Sequence, residues 1–278
     1  MKRIAIAVYG LFAYLAFLMV FLYLIGFVWN LAVPKGIDAG EPILWPLALI
    51  INTALLTLFG MQHSVMARPG FKRWWKRIVP DAAERSTYVL VASVVLGFAM
   101  WAWQPMPYVL WDVSGTMAGD VLFSISAVGW LLVLVSTFNI DHFQLFGLKQ
   151  AAFFLLRRKV PAPAFLVRGF YHLVRHPLML GFLVAFWATP TMTAGHLTFA
   201  AVMTGYIMIA LRYEERDLVD ELGQAYLDYM DATPMLNPVK SVVRAITAEK
   251  GQRDRASDGA PIAPISVERE MSGPVGRP

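Results

Sequence analysis

Four short polar clusters interrupt an otherwise apolar chain. They are Gln62-His63-Ser64, Asn139-Ile140-Asp141-His142, Arg175-His176 and Glu214-Glu215-Arg216-Asp217. Imidazole and carboxylate groups can move protons. Two adjacent glutamates with an arginine suit a zwitterionic, cationic ligand, because carboxylates take an amino group and arginine takes a carboxylate. Tyr171, Tyr213, Tyr226 and Tyr229 could offer aromatic faces to a sulfonium or ammonium, although tyrosines near a bilayer also serve as interfacial anchors. Cysteine is absent, so disulfides, thiolate metal sites and a cysteine nucleophile are excluded. The five histidines show no metal-ligand spacing, and no metal is expected.

The elements that position these clusters follow from composition. Of the 278 residues 58% are hydrophobic and only 15% charged, well below the charge of an ordinary soluble domain. Uncharged runs occupy 4–33, 43–67, 86–111, 121–140 and 177–211. A bilayer core needs about 20 helical residues, so the first four runs read as single transmembrane helices. The last run would be too long for one span, and Pro190 and Gly195 near its middle predict a helical hairpin. Lys72, Arg73, Lys76 and Arg77 beside Phe71, Trp74 and Trp75, and the stretch 149–160, read as short amphipathic helices on the headgroups. The expected fold is therefore an all-α integral membrane protein. It has four transmembrane helices, a C-terminal helical hairpin and short amphipathic cytoplasmic helices.

Orientation follows from lysine and arginine. Loops 67–86 and 141–176 carry six each, whereas 34–42, 104–120 and 190–196 carry one, none and none. The basic loops belong in the cytoplasm with both termini. This topology gathers His63, Asp141, His142, Arg175, His176, Glu214 and Glu215 at one face. The net charge of +5 reports topology and contact with the lipid bilayer, and no nucleic-acid partner is expected. Residues 249–278 are charged and rich in Pro, Gly and Ser, as a disordered tail would be.

The order Arg175-His176-Pro177, Gly181, apolar hairpin, Glu214-Glu215, Leu218, Leu222-Gly223, Tyr226, Tyr229 resembles the isoprenylcysteine carboxyl methyltransferase and phospholipid methyltransferase superfamily. The segments 62–69, 84–90, 138–143 and 185–193 are similar to those of bacterial methanethiol S-methyltransferases. One departure is Met179, where many superfamily members carry tyrosine. The resemblance implies a membrane methyltransferase domain over 1–240 and a cytoplasmic tail over 241–278. It also implies location in a bacterial inner membrane, and methyl transfer from S-adenosyl-L-methionine to a small volatile thiol, methanethiol, giving dimethyl sulfide. By motif position the cofactor contacts would be Tyr171, His172, Arg175, His176, Gly181, Glu214 and Glu215.

The acceptor must react as its thiolate. Candidate bases are His142, Asp141 and His63, with an Asp141/His142 unit favoured and Asn139 or Gln144 orienting it. Phe138, Phe143 or Trp187 could line the thiol's pocket. Two other readings stay open on sequence. One is a superfamily methyltransferase acting on a lipid or a prenylated thiol or carboxylate, and the other is a non-enzymatic membrane component. Oligomeric state is not legible.

Overall fold

The structure is a computed structural model that describes residues 1–161, 167–239 and 241. Long helices are α1 (Lys2–Trp29), α2 (Trp45–Ala67), α4 (Asp81–Ala102), α5 (Met117–Ile140) and α9 (Ala194–Leu222), and each is long and apolar enough to cross a membrane. Short helices are α3 (Pro69–Trp75), α6 (His142–Leu145), α7 (Leu148–Leu155), α8 (Pro177–Trp187) and α10 (Gln224–Ala232). A 3-10 turn covers Gly169–His172. The outer faces of the long helices are apolar: Ile4, Val8, Leu11, Leu15, Met19 and Leu22 on α1 are all exposed. A soluble protein does not expose so continuous an apolar surface. The chain is an all-α integral membrane protein.

The hairpin expected over 177–211 consists of α8 and α9, and its arms are unequal. At about 1.5 Å per residue, the 11 residues of α8 reach only some 16 Å. The return arm α9 has 29 residues, about 43 Å at the same rise and longer than a hydrocarbon core of about 30 Å, and the Glu214-Glu215 pair lies toward its far end. Pro177 starts α8, where a missing N–H costs nothing. Thr193 caps α9 by accepting from the His196 amide at 3.0 Å.

One feature was not expected from the sequence. The third apolar run extends to 111 in the sequence, but α4 stops at Ala102. Pro105 and Pro107 forbid its continuation. Val109–Asp112 then forms β1, which pairs antiparallel with β2 (Thr191–Thr193). Asp38 accepts from the Thr193 hydroxyl at 2.6 Å, and Lys35 Nζ donates to the Trp101 and Trp103 carbonyls at 2.7 and 2.8 Å. The three loops poor in lysine and arginine therefore meet at one end of the bundle. The basic loops meet at the other, where Arg3 lies 5.6 Å from the Phe154 ring and Arg68 pairs with Asp217 at 2.7 Å.

The closest packing is between α5 and α8. Gly129 and Gly181 face each other there, and Ser126 donates to the Ala185 carbonyl at 2.9 Å. Small residues let backbones approach where lipid supplies no hydrophobic drive between helices. The tail expected over 241–278 lies, apart from residue 241, outside the described residues.

Candidate functional site

The site is built where α8 begins, α9 leaves the membrane and α10 folds back. Arg175 precedes α8 and is buried. Its Nε donates to Glu215 Oε1 at 2.7 Å, and one terminal nitrogen donates to the Met230 and Thr233 carbonyls at 3.0 and 2.5 Å. Those carbonyls belong to the C-terminal end of α10, which carries partial negative charge. His176 Nε2 lies 3.1 Å from the same carboxylate oxygen. The backbone adds two bonds, Arg175 N–H to Pro234 O at 2.9 Å and His176 N–H to Met235 O at 3.2 Å. This knot ties three separated segments together. Burial, followed by the Glu215 carboxylate, pushes the Tyr226 hydroxyl up to about 12, so it stays protonated.

Glu214 differs from its neighbour. Glu215 is buried, whereas Glu214 is accessible, and it lies within electrostatic reach of His176, Tyr88, Tyr171 and Tyr206. Burial, with Glu214 second, raises the Tyr171 hydroxyl above its ordinary value. Tyr229 fixes the turn that carries Tyr171 by donating to the Tyr171 carbonyl at 2.7 Å. His172, in the same turn, is exposed.

Asn139 reaches this turn from α5. Gly169, at φ +52°, has no room for a side chain, because a Cβ there would come within 2.5 Å of the Asn139 amide nitrogen. That nitrogen is buried and has no hydrogen-bond partner among the described residues. A glutamate within electrostatic reach of tyrosines, with an unpaired amide nitrogen against the turn that carries Tyr171, can hold a cationic ligand bearing further acceptor groups.

Gly181 is placed elsewhere. It is buried against α5, where a Cβ would lie 2.8 Å from the Gly129 carbonyl oxygen and from the Val133 amide nitrogen. That side of α8 is filled by the neighbouring helix.

The remaining candidates fall into two groups. His142 is buried on the α1 side, with Nε2 2.9 Å from the Tyr14 hydroxyl and Nδ1 2.8 Å from Thr137 Oγ1. Phe138 stacks on its ring at 4.3 Å, and burial lowers its basicity. Asp141 does not bond to it. Asp141 instead caps α6 through the Gln144 amide at 3.0 Å and pairs with Lys149 at 2.5 Å. Gln144 contributes that amide and its carbonyl to Gln150, so it acts through its backbone there. His63 sits on the other side of α4, bonded to the Tyr88 hydroxyl through Nε2 at 2.9 Å. Phe138 and Phe143 surround His142, whereas Trp187 lies at the far end of α8 and donates to Thr204 at 2.9 Å. These three aromatics do not share one pocket.

Sequence reasoning missed Tyr88 and Tyr206 as site residues. Tyr88 falls in the segment 84–90 without a role being evident there, and Tyr206 sits inside an apolar run, where a tyrosine looks like any interfacial aromatic.

The Asp141 carboxyl is held below the usual carboxylate range chiefly by its hydrogen bond from Lys149. A depressed folded value contributes stability above the unfolded pKa of about 3.9 and loses it as pH falls through the folded value. The two side chains are 25% and 32% exposed, so solvent screening limits the pair to less than about 1 kcal/mol. Lys149→Met should therefore lower the thermal midpoint by no more than about 2–4 °C at neutral pH. The difference should vanish in strong acid, as scanning calorimetry at the two pH values would show.

Residues 51–221 match the family model described as NnrU protein. The chain is 50% identical over 236 residues to methanethiol S-methyltransferase 2 of Bradyrhizobium diazoefficiens, covering 85% of this chain and 91% of that relative. It is 50% identical over 238 residues to methanethiol S-methyltransferase of Mycobacterium tuberculosis, covering 86% and 98%. A more distant similarity, 33% over 188 residues, links it to nurim of Sus scrofa, covering 64% and 70%. No solved structure matches the chain.

Proposed function

The chain belongs to the NnrU protein family, and on that premise we propose that it is a methanethiol S-methyltransferase whose methyl donor is S-adenosylmethionine. The observation that carries the reading is the likeness, over nearly the full length, to several relatives bearing that enzyme's name. The site chemistry agrees with the donor. When bound, S-adenosylmethionine supplies a methyl carbon made electrophilic by a sulfonium. This chain offers such a cation the accessible Glu214 carboxylate and the Tyr171 ring, and it offers the Asn139 amide as a further donor. The Arg175–Glu215–His176 knot acts by holding α8, α9 and α10 in the geometry that presents these groups. His172, exposed in the same turn as Tyr171, is free to contact the ligand. Arg175 and His176, engaged with Glu215, contribute by position.

The basic end of the bundle carries the site, the N-terminus and α10. We place that end on the cytoplasmic side of a bacterial inner membrane, where a charged water-soluble donor reaches it. The acceptor is small and apolar and partitions into the bilayer.

Two measurements test the reading. Isothermal calorimetry on detergent-purified protein should show S-adenosylmethionine binding that Glu214→Gln weakens by about tenfold or more, since a lost bond to a charged group is worth some 1.5–3 kcal/mol. Headspace gas chromatography of cells fed methanethiol should show dimethyl sulfide rising on expression. Absent donor binding would return the chain to the reading of a non-enzymatic membrane component. Donor binding without dimethyl sulfide would shift the acceptor to a lipid or prenylated group.

A further inference from the structure

His63 stands in a cage that the donor-side residues do not use. Phe59, Tyr88 and Tyr206 surround its ring, with centroids 5.5, 5.1 and 6.5 Å away. Gly60 lets α9 come this close, because a Cβ there would meet the Tyr206 ring at 2.7 Å. Ser64 Oγ lies 3.5 Å from the Tyr206 hydroxyl. Two polar atoms of adjacent residues are buried and have no hydrogen-bond partner among the described residues, namely His63 Nδ1 in the cage and Gln62 Oε1 of the residue before it. Buried polar atoms are nearly always paired, so two neighbouring exceptions need a reason. Glu214 lies within electrostatic reach of both Tyr88 and Tyr206, so the cage adjoins the donor side.

His142 offers no comparable atom, since both of its ring nitrogens are bonded to hydroxyls. Asp141 is committed to a helix cap and to Lys149.

We propose that this cage is the acceptor site, with His63 Nδ1 as the base that takes the thiol proton and Tyr88 as the residue that positions it. The inference rests on the methyltransferase reading. A cage of aromatic rings suits a small, polarisable sulfur compound. The thiol must lose its proton to become a nucleophile. Tyr88 Oη lies 2.9 Å from Nε2 and 3.4 Å from the His63 carbonyl. By donating to the carbonyl and accepting from Nε2–H, the hydroxyl keeps the ring proton off Nδ1. The thiol S–H bond then breaks, its proton going to Nδ1 and its electron pair staying on sulfur. A lone pair of that sulfur forms the new bond to the methyl carbon. The donor's sulfonium–methyl bond breaks with its pair left on the donor sulfur, which becomes a neutral thioether. His63 afterwards releases the proton to water.

Acceptor acidity gives the test. Ethanethiol needs a base, whereas trifluoroethanethiol of similar size is largely ionised at mildly alkaline pH. His63→Ala and His63→Gln should lose roughly 100-fold or more in kcat/KM with ethanethiol and less than about tenfold with trifluoroethanethiol. Donor affinity by calorimetry should stay within about twofold of the parent's. Nitrogen-15 NMR of histidine-labelled protein should show Nδ1 of His63 unprotonated, and Tyr88→Phe should mix the tautomers and lower kcat more than it raises KM. Equal losses with both thiols, or losses under about threefold in variants that bind the donor normally, would overturn the assignment. A protonated Nδ1 in the parent protein would do the same. A parent protein that methylates no thiol defeats the function reading itself, and this inference with it.

Discussion

Arg175→Met should cost the folded protein about 3–5 kcal/mol, because it leaves a buried carboxylate without its cation. The guanidinium donates to Glu215, Met230 O and Thr233 O, so one substitution removes at least these bonds and orphans acceptors on two elements. Glu215→Ala removes less, since Arg175 keeps its two carbonyl partners. Glu215→Gln removes least, since an amide oxygen still accepts from Nε. The expected order of thermal midpoints in detergent is therefore parent, Glu215→Gln, Glu215→Ala, Arg175→Met. Glu214→Gln should melt with the parent, because the residue is exposed and its side chain has no hydrogen bond to lose among the described residues. Equal destabilisation by Glu214→Gln and Glu215→Gln would refute the division of roles between the two acids. Arg175→Met should also abolish measurable donor binding, since α10 and the turn carrying Tyr171 lose their anchor.

The second large effect belongs to the contact between α5 and α8. Gly181→Leu should destabilise the protein by more than Gly181→Ala, and both should lower the melting midpoint. Alanine is ordinarily favoured over glycine inside a helix by about 1 kcal/mol. Here the added Cβ would lie 2.8 Å from two backbone atoms of α5, and backbone cannot rotate aside as a side chain can. Overpacking of this kind costs about 1–3 kcal/mol, which outweighs the propensity gain. Gly205→Ala is the control: nothing lies within 4 Å of its Cβ position, so propensity alone acts and the midpoint should hold or rise. A rise for Gly181→Ala would show that α8 can move away from α5 at little cost. Since α8 begins directly after His176, the same movement would appear as weaker donor binding.

Several residues show how far the sequence could go. Gly181 stood out as part of a motif, but its reason is a backbone approach to Gly129 that no spacing reveals. Glu214 and Glu215 are chemically identical neighbours. They part because successive residues on a helix point about 100° apart, which sends one into the Arg175 knot and leaves the other accessible. Asp141 and His142 looked like an acid–base pair because they are adjacent, yet each bonds to something else. Tyr88 and Tyr206 were invisible as site residues, because their partners come from other helices.

The sequence by itself determined that the chain is an all-α integral membrane protein, where its long apolar helices run and that the polar clusters lie at their ends. It could do so because a bilayer imposes its demand segment by segment: each crossing must be an apolar helix that satisfies its own backbone, and the loops record their side in lysine and arginine. Only the tertiary structure decided which polar atoms are free to act. That depends on partners far away in the chain, as when Tyr14 claims a nitrogen of His142 across 128 positions. His63 keeps a bare Nδ1 because no such partner reaches it among the described residues.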